Sequence, residues 1–300
     1  MLNRILLCLM IATVAGCAQV ERSGAQGLMT TPSPTAVLQV AAVVETPPVE
    51  TAGDAADDPA IWVNLQDPSK SLVIGTDKQR GMQVYDLDGR LLQALPDGRM
   101  NNVDLRDGFR VDGRAMVLVA ASNRSDRSIA LYLLDPATRR LTRAADPVPT
   151  GFVEPYGLCM YASPDGRQFV FVNEADSGRI RQWRVHADGD EIVTQLVREL
   201  AVGSQAEGCA ADDETGALYV AEEDGGFWRY RADVDGGDDR REIDRVGGRT
   251  GLVGDIEGVS IWHGRNGRGY LVLSNQGANH YAVYRREGNN AFVGQFRVVD

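Results

Sequence analysis

Three hundred residues, 43% hydrophobic and 24% charged, are an ordinary globular composition that excludes wholesale disorder and fibrous classes. Lys and Arg number 31 against 42 Asp and Glu, a net charge of -11. That balance argues against nucleic acid, which needs a basic, phosphate-neutralising face, and suits a protein that holds metal cations.

Three His and four Cys, none in a CxxC or HxxxH spacing, argue against zinc. Arg4 precedes an apolar run over residues 5–14, of signal-peptide length and too short to span a bilayer. The run ends in Val14-Ala15-Gly16-Cys17, which resembles a bacterial lipoprotein signal: cleavage before Cys17, acylation of its thiol, and Ala18 favouring the outer membrane. Cleavage after Ala18, giving a secreted or periplasmic protein, is the alternative. Residues 1–17 are therefore assigned to the signal and 18–35, rich in Ser, Thr, Ala, Gly and Pro, to a flexible tether. No later segment is apolar enough to span a membrane, so the lipid on Cys17 is the one expected attachment. The mature chain keeps Cys159 and Cys209. If Gly157 and Gly208 are equivalent, the two thiols sit one residue out of register and point to opposite faces, which predicts two buried free thiols rather than a disulfide.

From residue 36 a unit recurs about every 50 residues, the length of a propeller blade. Each unit has an apolar strand, at residues 72–75, 117–120, 169–172, 218–221 and 270–273, then an alternating strand ending at Tyr85, Tyr132, Trp183, Tyr230 or Tyr284. Asp-Gly and Asn-Gly turns separate them, as at Asp88-Gly89 and Asn266-Gly267. No segment has a sustained helical period. The pattern predicts an all-β propeller.

A polar cluster opens each unit: Asp57-Asp58-Pro59, Asn101-Asn102-Val103-Asp104, Pro155-Tyr156-Gly157, Gln205-Ala206-Glu207-Gly208 and Asp255-Ile256-Glu257-Gly258. The first strand of a propeller blade lines the central channel, so these clusters converge on one mouth. Asp57, Asp58, Asp104, Glu207, Asp255 and Glu257 are expected there, with Asp77, Glu222 and Glu223 from the following loops. Two carboxylates about 4 Å apart repel by roughly 4 kcal/mol at an effective dielectric of 20. Several stay ionised together only with cations between them, and an all-oxygen set selects hard ions such as Ca2+. Lys78, Arg80, Arg106 and Arg124 flank the same loops and suit an anionic ligand bridged by metal and guanidinium.

Residues 50–62, with Asn101-Asn102-Val103-Asp104, Ala121-Ser122-Asn123-Arg124-Ser125, Ser204-Gln205-Ala206-Glu207-Gly208, Ala221-Glu222-Glu223-Asp224 and Asp255-Ile256-Glu257-Gly258, resemble the motifs of the β-propeller phytases, in order. The resemblance implies a six-bladed β-propeller over residues 36–300, with about five blades present and the C-terminal one incomplete, so that the strand over residues 37–45 lacks its closing partner. It implies a monomeric, Ca2+-dependent phosphatase acting on phytate or other inositol phosphates. Lys78, Arg124 and Tyr156 would hold the scissile phosphate. Glu207, Glu223, Asp255 and Glu257 would bind the active-site calciums, and Glu45, Asp57, Asp58, the Val103 carbonyl and Gln276 further calciums. The chemistry would be attack by a metal-activated water, in keeping with the absence of an RHGxRxP or HCxxGxxR motif; His186, His263 and His280 are read as incidental.

Two departures from the family pattern bear on the cations. Gln79-Arg80 stands where a second Lys is common, leaving Arg80 as a substitute. Residues 173–177 lack the Lys expected in the third unit, with Arg179 the nearest cation. A non-catalytic binding propeller and a calcium-dependent lactonase-type propeller are the alternatives; Lys78, Arg106 and Arg124 favour the phosphatase over the lactonase.

Overall fold

The computed structural model describes residues 36–299; the expected signal, tether and Cys17 lie outside the described residues. The chain forms β1 (Val37–Ala41), β2 (Ala56–Trp62), β3 (Leu72–Asp77), β4 (Gly81–Tyr85) and β5 (Leu91–Leu95). It continues through β6 (Met100–Val111), β7 (Arg114–Asn123), β8 (Ser128–Asp135), β9 (Arg140–Arg143) and β10 (Val148–Pro149). Next come β11 (Pro155–Ala162), β12 (Gln168–Glu174), β13 (Arg179–Asp188) and β14 (Glu191–Ala201). The last are β15 (Ala206–Asp212), β16 (Ala217–Glu222), β17 (Gly226–Arg231), β18 (Arg241–Arg245), β19 (Ile256–His263), β20 (Gly269–Asn275), β21 (His280–Arg285) and β22 (Phe292–Val299).

These strands make five antiparallel sheets: β2–β5, β6–β8 with β9 and β10 both on β8, β11–β14, β15–β18 and β19–β22. The inner strands β2, β6, β11, β15 and β19 touch one another in succession. The architecture is a five-bladed β-propeller, all-β as the 50-residue repeat predicts. The second strands β12 and β16 are buried along their whole length, because each lies mid-sheet with a neighbouring blade on either face; the Val and Phe run of β12 follows from that two-sided burial.

Four hydrophobic cores fill the interfaces between successive blades. Ile74, Val84, Val119 and Tyr132 pack between blades 1 and 2; Leu118, Leu131, Met160 and Val172 between 2 and 3. Phe171, Tyr161, Val220 and Leu218 pack between 3 and 4, and Tyr219, Phe227, Leu273 and Tyr284 between 4 and 5. The outer faces of blades 1 and 5 stay open: Ile61 is 60% and Trp262 59% exposed.

Two sequence expectations are corrected here. β1 is not partnerless: it adds to the outside of blade 5, parallel to β22, with Val37 opposite Gln295 and Ala41 opposite Val299. Cys159 and Cys209 are not free thiols but a disulfide, with Cα atoms 5.6 Å apart. The register argument itself holds, since Leu158 and Cys209 occupy equivalent positions against Val172 and Val220, which puts Cys159 on the other face. Propeller blades, however, stack face to back. The face of blade 3 that carries Cys159 and Tyr161 meets the opposite face of blade 4, which carries Cys209 and Ala211, so opposite faces are what a bridge requires.

The inner strands approach so closely at one end that two glycines have no substitute. A Cβ on Gly157 would collide with the Glu207 carbonyl oxygen, and one on Gly208 with that of Glu257. Overpacking of this kind costs about 1–3 kcal/mol. Gly157→Ala and Gly208→Ala are each expected to lower unfolding stability by that amount in urea titrations, whereas Gly113→Ser, whose Cβ meets nothing, loses only the positive-φ preference.

Candidate active site at the mouth of the propeller

Each inner strand carries one extra residue at the same place. Pairing skips from Ala56 to Pro59 against Asp77 and Gly75, from Met100 to Val103 against Asn123 and Ala121, and from Pro155 to Leu158 against Glu174 and Val172. It skips likewise from Ala206 to Cys209 and from Ile256 to Val259. Such a bulge leaves its residues unpaired and bends the strand. The freed residues are Asp57-Asp58, Asn101-Asn102, Tyr156-Gly157, Glu207-Gly208 and Glu257-Gly258, the core of the five polar clusters.

A second ring of equivalent positions follows the second strand of each blade. The backbone N–H groups of Lys78, Arg124, Ala175, Glu223 and Gln276 donate to the carbonyls of Ala55, Arg99, Glu154, Gln205 and Asp255 at 2.7–3.1 Å. One scaffold thus presents different chemistry in each sector. Blades 1 and 2 supply the cations Lys78 and Arg124, blade 4 the carboxylate of Glu223 and blade 5 the amide of Gln276. Ala175 occupies the place where the third unit was expected to offer a Lys.

On the cationic side a cleft of about 520 Å³ is lined by Asp54, Lys78, Gln79, Arg99 and Arg124. Lys78 Nζ lies 3.0 Å from Asp57 and 3.5 Å from Asp54; partly buried, it is nonetheless held above its ordinary pKa by Asp57. Arg124 pairs with Glu154, donates to Asn101 Oδ1 at 3.2 Å and lies over the Tyr156 ring.

Across the mouth Glu207 is buried. Asn101 Nδ2 donates to its Oε1 at 2.6 Å. Burial, then repulsion from Asp57, pushes Glu207 up to about 7. Burial, then repulsion from Glu207 and Asp255, pushes Glu257 up to about 8. Burial raises Asp57, Asp58 and Glu223 too, although Asp58 accepts the Val103 N–H at 3.0 Å. Gln276 donates to Glu257 at 2.8 Å and to Asp255 at 3.3 Å, and Gln205 to Glu223 at 2.7 Å. Burial and the neighbouring Glu207 raise Tyr156, so its hydroxyl stays protonated. Among the described residues, the buried Asp57 Oδ2 and Glu207 Oε2 find no hydrogen-bond partner. Orphaned carboxylate oxygens in an all-oxygen neighbourhood fit a hard divalent cation.

The structure therefore brings together Lys78, Arg124, Tyr156, Glu207, Glu223, Asp255, Glu257, Asp57, Asp58, Val103 and Gln276. Five expected residues lie elsewhere. Asp104 is two residues past its bulge and faces down the channel, where it binds Arg106 at 3.0 Å and the Met160 N–H at 2.8 Å. Arg106 also meets Asp213 at 2.8 Å and the Ala211 carbonyl at 3.2 Å, so it ties three inner strands together and adds no cation to the cleft. Arg80 turns outward to Glu50, and Arg179 is held by Glu174 and the Phe152 ring. The backbone of Glu45 abuts Gly89 in the β4–β5 turn, at the opposite end of blade 1 from Asp57. His280 is buried against Asn275 and the Ala278 carbonyl, a packing role.

Sequence reasoning missed Arg99, and it placed Asn101 and Gln205 in the clusters at the mouth without giving either a role. Arg99 occupies the position equivalent to Asp255, just ahead of the inner strand, so aligning the repeats one residue further back would have found it. Asp212, Glu214 and His263 form a second cluster of potential ligand atoms, but the buried Arg286 covers both oxygens of Asp212 at 2.7 and 2.6 Å; a cation there would have to displace a guanidinium.

The raised carboxylates set the pH dependence of the metal-free protein. Glu207 and Glu257 titrate above the unfolded value of 4.5, so the folded chain holds protons that the unfolded chain releases. Their contribution is full below pH 4.5 and is lost as pH rises through about 7–8. The melting temperature with chelator present should fall between pH 5 and pH 9, and Glu207→Gln should shrink that fall. A melting temperature independent of pH would contradict the assignment.

A sequence profile described as Phytase matches residues 8–300. The 3-phytase of Bacillus subtilis (strain 168) is 42% identical over 268 residues, which cover 87% of this chain and 70% of the relative. Among solved structures, the complex of KlAtg21 with the coiled-coil of AgAtg16 superposes with a TM-score of 0.44 at 14% identity, over 76% of this chain and 68% of the other. The Dos1 propeller gives 0.43 at 13% identity, over 79% and 57%.

Proposed function

The chain belongs to the phytase family, and we infer that the propeller mouth is where it removes phosphate from phytate, as a 3-phytase-type phosphomonoester hydrolase. The observation that carries this placement is the division of the mouth into a cationic cleft with Lys78 and Arg124 and a carboxylate half with Glu207 and Glu257.

Calcium is the proposed metal, held by Glu207, Glu223, Asp255 and Glu257 with Asp57 and Asp58 beside them, and it would supply Lewis-acid charge and lower the pKa of a bound water. Lys78 and Arg124 neutralise oxygens of the phosphate being released; both point into one cleft, which orients the ester for in-line attack. Tyr156, kept protonated by burial and by Glu207, donates to a third oxygen. Asn101 fixes the Glu207 carboxylate and also accepts from Arg124, so a single amide holds the two halves in register.

Three further readings belong to the proposal. The ring is six-bladed: Ile61 and Trp262 expose the two faces that a sixth sheet between blades 5 and 1 would cover. The protein acts as a monomer. It resides in the cell envelope as an outer-membrane lipoprotein acylated at Cys17, a reading supported by the Val14-Ala15-Gly16-Cys17 sequence and by a disulfide suited to an oxidising compartment.

Phosphate release from inositol hexakisphosphate should require Ca2+ and vanish with chelator. Lys78→Ala and Arg124→Ala should each lower kcat/KM about 10²–10³-fold, and Glu207→Gln should abolish the calcium response. No release from soluble, folded protein saturated with Ca2+ would refute this reading.

A further inference from the structure

The disulfide joins the two inner strands that carry central site residues. Cys159 lies three residues beyond Tyr156 and Cys209 two beyond Glu207. Cys209 is the first residue to resume pairing after the blade 4 bulge, and Cys159 is one past the corresponding residue of blade 3. The link therefore sits directly behind both bulges, and both cysteines are buried.

Arg106 joins the same two inner strands further down the channel through the Met160 and Ala211 carbonyls, but the bulges themselves share few contacts. Bulge residues make no ladder hydrogen bonds of their own. At the mouth, blades 3 and 4 meet through Gly157, which offers no side chain to the Glu207 carbonyl, through Asn173 Nδ2 donating to that carbonyl at 3.0 Å, and through the Asp176 N–H donating to Gln205 Oε1 at 3.3 Å. The hydrophobic core between these blades packs on both sides of the disulfide, with Ile180, Val202 and Ala206 toward the mouth and Tyr161, Ala211 and Leu218 away from it.

We propose that the Cys159–Cys209 bridge is a positioning element of the active site, which holds the bulge bearing Tyr156 against the bulge bearing Glu207 so that the metal-binding carboxylate and the phosphate-binding hydroxyl share one fixed geometry. The proposal rests on the reading of the mouth as the calcium-dependent site. The bridge touches neither substrate nor metal. It acts through the two residues that do, as supporting groups behind a ligand shell act on metal affinity.

The test compares the parent protein with the Cys159→Ala/Cys209→Ala double variant and with Leu218→Ala, which loosens the same inter-blade core at its far end. Calcium binding is followed by calorimetry without substrate, and kcat and KM are measured on inositol hexakisphosphate. The double variant should bind Ca2+ about tenfold more weakly and lose kcat with little change in KM. Leu218→Ala should lower the melting temperature while leaving calcium binding and kcat at parental values. Equal calcium affinity in the parent and the double variant would overturn the proposal, as would equal weakening in Leu218→Ala, which marks a purely structural role. Should the double variant not fold, the comparison is made on native protein before and after phosphine reduction and thiol alkylation, with the same two outcomes. A parent that neither binds Ca2+ nor releases phosphate would instead bring down the reading of the mouth, and the proposal with it.

Discussion

Five inner strands come together at one end of this propeller, and a bulge in each keeps the crowded end from being a plain sheet edge. A regular strand points alternate residues into the two neighbouring blades, as Leu158 and Met160 do on one side of blade 3 and Cys159 and Tyr161 on the other. The extra residue breaks that alternation and frees two consecutive positions just where the strands are closest. Asp57-Asp58 and Asn101-Asn102 use both positions for polar side chains. Blades 3 to 5 use one for Tyr156, Glu207 or Glu257 and give the other to glycine. At Gly157 and Gly208 the missing side chain is what lets the next blade's backbone approach. The same crowding that demands glycine also buries Glu207 beside Asp57 and raises its pKa, so packing and electrostatics at the mouth have one origin.

Much of this was legible in the sequence because the repeat is regular. The spacing of about 50 residues located the blades, and the polar clusters located the bulges without revealing that they were bulges. What stayed hidden was depth. Asp104 belongs to its cluster by sequence but lies past the bulge, where it binds Arg106 inside the channel. Its distance along the strand, rather than its residue type, takes it out of the site. Arg80 and Arg179 are near the mouth in sequence, yet Glu50 and Glu174 hold them away from it, and such competition depends on loop paths that no periodicity encodes. The disulfide shows a different gap. Register within one sheet was read correctly, but the bridge is decided by how two sheets stack.

The asymmetry of the mouth is chemical rather than structural. Lys78, Arg124, Ala175, Glu223 and Gln276 share one backbone hydrogen bond, so a single scaffold carries two cations, a methyl group, a carboxylate and an amide. The cations stand beside each other on blades 1 and 2, and carboxylates come from blades 4 and 5 and, through Asp57 and Asp58, from blade 1, with Tyr156 of blade 3 between. Asn101 bridges the two camps, accepting from Arg124 and donating to Glu207. A polyanionic ester thus meets attraction on one side, and on the other a charge that stays repulsive until protons or cations neutralise it.

The parallel pairing of β1 with β22 has a consequence for how the chain is made. Val37 emerges early in synthesis, but its partner Gln295 follows roughly 260 residues later, on the order of 13–50 s at ordinary elongation rates. Blades 1 to 4 each draw on a contiguous stretch of chain and can close as they appear. Blade 5 alone takes a strand from the far end of the sequence, so through that interval the backbone N–H and C=O groups of β1 wait without their ladder partner. A nascent chain is most exposed to mispairing at that strand, and holding it apart is a natural task for a chaperone.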